Sequence, residues 1–243
     1  KHFERFRKDI IGLDTEIQTP YGKKKLVYAD WIASGRLYGP IEKRISNDIG
    51  QMVGNTHSES SATGKAMTDA YHMAQKIVKK HVNADANDVL IFTGTGMTSA
   101  IAKLQRILGL KVPEQAINYC VFTHGEYRNC REIPNKNRPV VFLTHAEHHS
   151  NHTSWFETLA EVVVLEPSDG LRTDPEMLRS KIKPYKDRPL LIGSFTACSN
   201  VTGYEPPYHE LARIMHEYNG YCFIDFAASA PYVEINMHPP DRM

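Results

Sequence analysis

The chain has 243 residues, of which 41% are hydrophobic, 23% charged and 9% aromatic, with a formal net charge of +1. That composition excludes a disordered or fibrous polymer and allows one large α/β domain, or one domain with part of a second. The near-neutral balance gives no electrostatic pull toward nucleic acid or an anionic membrane, so neither is expected as a partner.

Residues 1–60, rich in Gly and polar side chains, read as an N-terminal arm with one or two short helices. Residues 61–243 read as the main domain. The clusters Lys23–Lys25 and Lys79–Lys80 read as solvated turns and helix ends. A helix is predicted from Ser60 to Val82, because Ala66, Ala70, Met73, Ile77 and Val78 recur near helical spacing. Strands and helices then alternate. Val89–Phe92 reads as a buried strand, followed by a Gly-rich turn and a helix from Met97 to Gly109. Val140–Leu143, Val162–Leu165 and Pro189–Gly193 read as further strands. Pro207–Tyr218, with Leu211, Ile214, Met215 and Tyr218 on one face, reads as a helix that stops at Asn219-Gly220. Tyr221–Asp225 closes the series as a strand.

Apolar strands joined by helical crossovers predict an α/β fold, three-layered around a mostly parallel sheet. Ligands of such sheets sit beyond the carboxyl ends of the strands. No apolar run approaches the ~20 residues that span a bilayer, and no secretory leader is legible. Four widely spaced cysteines (Cys120, Cys130, Cys198, Cys222) read as reduced thiols of a cytoplasmic protein.

Four segments follow the predicted strand ends. Thr93–Ala100 supplies glycines, hydroxyls and a helix start, which together make a phosphate seat; the plainer alternative is a tight turn capped by Thr95 or Thr98. It also mimics a dinucleotide fingerprint, but without the third glycine, and Glu114 lies in a Pro-containing stretch rather than at a strand end. Thr144–His152 carries four histidines in eight residues, without the HExxH or HxxEH spacing of a zinc site, so no metal is assigned. His145 and His152 read as exposed loop residues, whereas the His148 ring suits stacking on a flat heterocycle and proton transfer. In Ser194–Gly203, Asn200 either donates to an anionic oxygen or forms an Asx turn. Asp225 ends an apolar strand, where an acid costs free energy unless paired; a protonated pyridine nitrogen is such a partner, and capping the next turn is the alternative.

In this order the segments resemble the class V aminotransferase family, which includes the cysteine desulfurases and selenocysteine lyases. Tyr28–Ser34 resembles its "YLDNAAT" entry segment and Gly54–Ser58 its "GNxH". Phe92–Ile101 is similar to "FTxGATEAIN". Glu147–Asn151 with Trp155 resembles "EHHSNxxPW", Ser199–Gly203 "SNVTG", and Ile224–Ala227 the start of "VDGAQS". The resemblance implies a pyridoxal 5'-phosphate (PLP) transferase or lyase, homodimeric, acting on a small amino acid through aldimine chemistry. By position, Met97 and Thr98 would hold the cofactor phosphate and His148 would stack on the ring. Asn200 would bind the phenolic oxygen, and Asp225 would pair with the ring nitrogen. Ala33 and Asn55 would lie near the substrate. Ala228 replaces the family's Gln, and Ser99 and Ala102 replace its Glu and Asn. The family's Schiff-base lysine would fall beyond Met243, so truncation before it, loss of the small C-terminal domain, and inactivity of this piece alone are expected. The rival readings are a non-catalytic binding or dimerisation module and a His-cluster metal hydrolase.

Overall fold

A computed structural model describes residues 2–113 and 133–240. Its contacts gather into two units, residues 1–90 with 233–243 and residues 91–232. Glu114, Cys120 and Cys130 lie outside the described residues.

In the first unit a short helix α1 (Glu4–Arg7) precedes a hairpin of β1 (Glu16–Thr19) and β2 (Gly22–Lys25), paired antiparallel with Thr19 opposite Gly22. Lys23–Lys25 thus lie in a strand rather than in a turn or helix end, and Lys25 pairs with Asp14 at 2.6 Å. Helix α2 (Gly39–Arg44) runs on through a π turn (Ile45–Ile49) and a 3-10 turn (Gly50–Met52). Helix α3 (Ala62–His81) forms within the predicted span, and its start is fixed by Ser61, whose Oγ accepts from the Gly64 N–H at 3.1 Å. The predicted apolar stripe is not the covered one. Met73 and Ile77 are 57% and 61% exposed, and Gly64 and Thr68 are buried instead. Periodicity dictates a helix locally; which face is covered depends on what packs there.

The second unit is built on four parallel strands, β3 (Val140–Thr144), β4 (Glu161–Leu165), β5 (Leu191–Thr196) and β6 (Tyr221–Asp225), in the order β4-β3-β5-β6. Every residue of β3 and β5 is buried. Packing on both faces explains why burial in these runs does not alternate, with Thr144, Ser194 and Thr196 buried beside the apolar residues. Parallel neighbours need helical crossovers, supplied by α5 (His149–Phe156), α6 (Pro175–Ile182) and α7 (Tyr208–Glu217). One sheet face packs Phe142, Leu165 and Phe195 against Leu178 and Ile182 of α6 and Leu211, Ile214 and Met215 of α7. The other packs Val141, Leu143 and Ile192 against Ile101 of α4 (Met97–Ile107) and Trp155 of α5. Three layers result, as expected from the sequence. Each fully buried large side chain contributes about 1.5–3 kcal/mol.

Two expectations fail here. Val89–Phe92 forms no strand, and Val89, Ile91 and Phe92 are 83%, 51% and 46% exposed; a four-residue apolar run becomes a strand only if a sheet edge receives it. Conversely, His149–Phe156, read as loop, is helical. His148 caps it, and Asn151 and Trp155, one turn apart, are its buried residues.

Candidate functional site

The strand order reverses between β3 and β5: from β3 the chain steps outward to β4, then returns past β3 to β5 and β6. A crevice at the carboxyl ends beside such a switch point is where open α/β sheets hold ligands. In this unit a cleft of about 180 Å³ is lined by Met97, Ala100 and Ile101 of α4 together with Ser194, Phe223 and Asp225 of the sheet. The helix start proposed as phosphate seat and the acid proposed as ring partner therefore open onto one space.

Asp225 ends β6 opposite Thr196 of β5 and is only 4% exposed. Its Oδ1 accepts from the Ala227 N–H at 2.8 Å. Burial pushes its carboxyl above the ordinary aspartate value, while the Ala227 hydrogen bond and then the charge of His148 pull it back. A carboxyl in that condition is one that a cation entering the cleft would ionise.

His148 is exposed and caps α5. Its Nδ1 accepts from the Ser150 N–H at 3.1 Å and lies 2.8 Å from Ser150 Oγ. With Nδ1 occupied as acceptor, the neutral ring carries its proton on Nε2. The His149 ring lies 6.2 Å from it, while His145 and His152 turn elsewhere. His145 Nε2 lies 2.9 Å from Leu171 O, and His152 packs edge-on to Phe156.

Met97 and Thr98 open α4 with no side-chain cap, and the Ser99 and Ala100 N–H groups donate to Gly96 O at 3.0 and 3.1 Å. The preceding turn requires glycine: Gly94 has φ +57°, and a Cβ there would lie 2.2 Å from Ser99 Cβ. Asn200 lies exposed in the turn after β5, where the Gly203 N–H donates to Ser199 O at 2.9 Å. Ala33 and Asn55 belong to the first unit, both exposed, Ala33 in a turn and Asn55 in the stretch before α3.

Sequence reasoning gave no role to Glu147. Its carboxylate receives Thr144 Oγ1 at 2.7 Å, Thr144 N at 3.3 Å, Thr196 N at 2.9 Å and Asn151 Nδ2 at 2.7 Å. Burial nonetheless pushes it up to about 7, against the downward pull of those bonds. Asn151 is fully buried; its Oδ1 accepts from Ser194 Oγ (2.6 Å) and Trp155 Nε1 (3.3 Å). The sequence offers only an acid just after a buried strand, which does not show that Thr196 would meet it.

Residues 127–241 match the model of the family described as Aminotransferase class-V, a span that contains His148, Asn200 and Asp225. Over that span the chain is similar to the class V aminotransferases. A probable cysteine desulfurase of Halalkalibacterium halodurans is 23% identical over 212 residues, 87% of this chain and 47% of the relative. One of Halobacterium salinarum is 25% identical over 242 residues, 98% of this chain and 51% of the relative. Among solved structures, the apo cysteine desulfurase of Thermococcus onnurineus NA1 superposes with TM-score 0.66 at 20% identity, over 96% of this chain and 49% of that one. The chain thus spans about half the length of these relatives.

Proposed function

We propose that the protein to which this chain belongs is a PLP-dependent enzyme acting on a small amino acid, with cysteine desulfuration or selenocysteine lysis as the nearest chemistry. One observation carries the reading: a buried carboxyl at the end of β6, pushed up by that burial, and the start of α4 line the same cleft. The residues fit the cofactor. The N–H groups at Met97 and Thr98 suit an anionic phosphate. Asp225 suits a ring nitrogen that must stay protonated. His148 offers a flat ring, and Asn200 an amide donor for the phenolic oxygen. PLP, when bound, supplies an electron sink for charge left at the α-carbon of an amino acid.

The chain's own residues hold and orient. Asp225, once beside a cation, stays ionised and keeps that cation protonated. His148, with its proton on Nε2, is able to donate from that atom while Ser150 fixes Nδ1. Ala33 and Asn55 are proposed as substrate-side groups, and the functional unit as a homodimer.

The test is a PLP titration of the full chain followed by visible absorbance. Wild type is expected to bind with a displaced spectrum, and Asp225→Asn to lose about tenfold or more in affinity, since a hydrogen bond to a charged group is worth about 1.5–3 kcal/mol. Equal affinity and equal spectra for the two would refute the ring-nitrogen assignment.

A further inference from the structure

Glu147 lies at the switch point itself. Its Oε1 accepts from the last residue of β3, through Thr144 N and Oγ1, and from the last residue of β5, through Thr196 N. Its Oε2 accepts from Asn151 in the first turn of α5. The carboxylate therefore joins the carboxyl ends of the two neighbouring central strands to the start of the helix that follows β3. All four groups facing it are donors, which suits an ionised carboxylate and leaves a protonated one without an acceptor among these contacts.

The same residues fix His148. It immediately follows Glu147 and is the cap of α5, and its carbonyl accepts from the Asn151 N–H at 2.9 Å. Asn151 is in turn tied to β5, donating to Ser194 O at 3.3 Å and accepting from Ser194 Oγ. Thr196 leads to Asp225 through strand register and through the bond from Ala197 N to Asp225 O at 2.8 Å. The Glu147 charge also reaches β6, where, after burial, it helps to push the Cys222 thiol up to about 12.

We propose that Glu147 is a positioning residue of the cofactor site: by pinning Thr144, Thr196 and Asn151 to one carboxylate, it sets the place of the His148 ring relative to Asp225. This rests on the function proposed above but is testable without cofactor. It accounts for why an acid is enclosed where a hydrophobic residue would fill the space at lower desolvation cost.

The experiment uses the full chain with labelled histidine rings, at pH 8 and without PLP, with His148→Ala to assign the His148 signal. Glu147→Gln keeps the shape but sets an amide donor against Asn151 Nδ2. It is expected to shift and broaden the His148 ring resonance while leaving His209 and His216 of α7 unmoved; Glu147→Asp, which keeps the charge, is expected to restore part of the shift. A His148 resonance superposing on wild type overturns the proposal, as does movement of the α7 histidines to the same extent, which marks general loosening. If Glu147→Gln does not fold by circular dichroism, Thr144→Val removes one donor to the carboxylate and is read at the same resonance, with the same two outcomes. A PLP titration forms the second arm, in which Glu147→Gln is expected to weaken affinity about tenfold and to displace the bound spectrum; unchanged affinity and spectrum overturn the proposal. Wild type that takes up no PLP sinks the function proposed above alone, because the ring comparison still decides the role of Glu147.

Discussion

At the scale of single residues, the protein places two acids at the strand ends and treats them differently. Asp225 receives one backbone donor and Glu147 receives four, yet burial raises both. Their effect on stability has a definite sign. Glu147 is shifted from 4.5 to about 7, so between those values the folded chain holds a proton that the unfolded chain has released. Its contribution is complete below the unfolded value and is lost as pH rises toward about 7, amounting to up to about 3 kcal/mol. Asp225, also raised, adds a loss in the same direction. Urea midpoints are therefore expected to fall as pH rises through this window, with a shallower fall in Glu147→Gln. A flat profile in wild type, or an identical slope in the variant, would count against the burial described. The burial of Asp225 was legible in the sequence, since an acid that ends an apolar run lies where the strand is covered. That of Glu147 was not: its partners Thr144, Asn151 and Thr196 come from two strands and a helix, and nothing in their spacing announces that they converge.

At the scale of elements, capping and turn chemistry decide where the structure begins and ends. Ser61 starts α3 and His148 starts α5 through side-chain acceptors, whereas α4 follows Gly96 with no side-chain cap. Its Ser99 and Ala100 N–H groups turn to Gly96 O instead. The turn before α4 depends on Gly94, whose positive φ and contact with Ser99 leave no room for a Cβ. Gly94→Ala is expected to cost more than about 1 kcal/mol and to weaken PLP uptake, as read by urea unfolding and by absorbance; full stability with full uptake would show that the turn tolerates a side chain. Most elements of the second unit were readable because their apolar runs or stripes are local. The exceptions are instructive. Val89–Phe92 has the composition of a strand but no place in the sheet. His149–Phe156 lacks an apolar stripe, and it is helical because Asn151 and Trp155 find buried partners in Ser194 and in the α4 side of the sheet.

At the scale of the whole molecule, the sheet unit is held by two separate packing layers, one on each face. Leu211 of α7 is fully buried in one of them, so Leu211→Ala is expected to cost about 2–5 kcal/mol, measured as a lowered urea midpoint with unchanged slope. A loss below 1 kcal/mol, on the order of an exposed-site change, would mean that α7 is not packed as described. Among the described residues no helix is long and apolar enough to cross a membrane, and the two described cysteines, Cys198 and Cys222, are unpaired.

The sequence by itself determined the α/β alternation, the parallel sense of the sheet and the segments that follow its strand ends. These depend on side-chain periodicity and on crossover length, both local properties of a chain. Only the tertiary structure decided that Met97 and Asp225 open onto one cleft. It also decided that Glu147 ties the switch point together. Strand order and register bring residues far apart in sequence to the same edge, and no stretch of sequence encodes that order on its own.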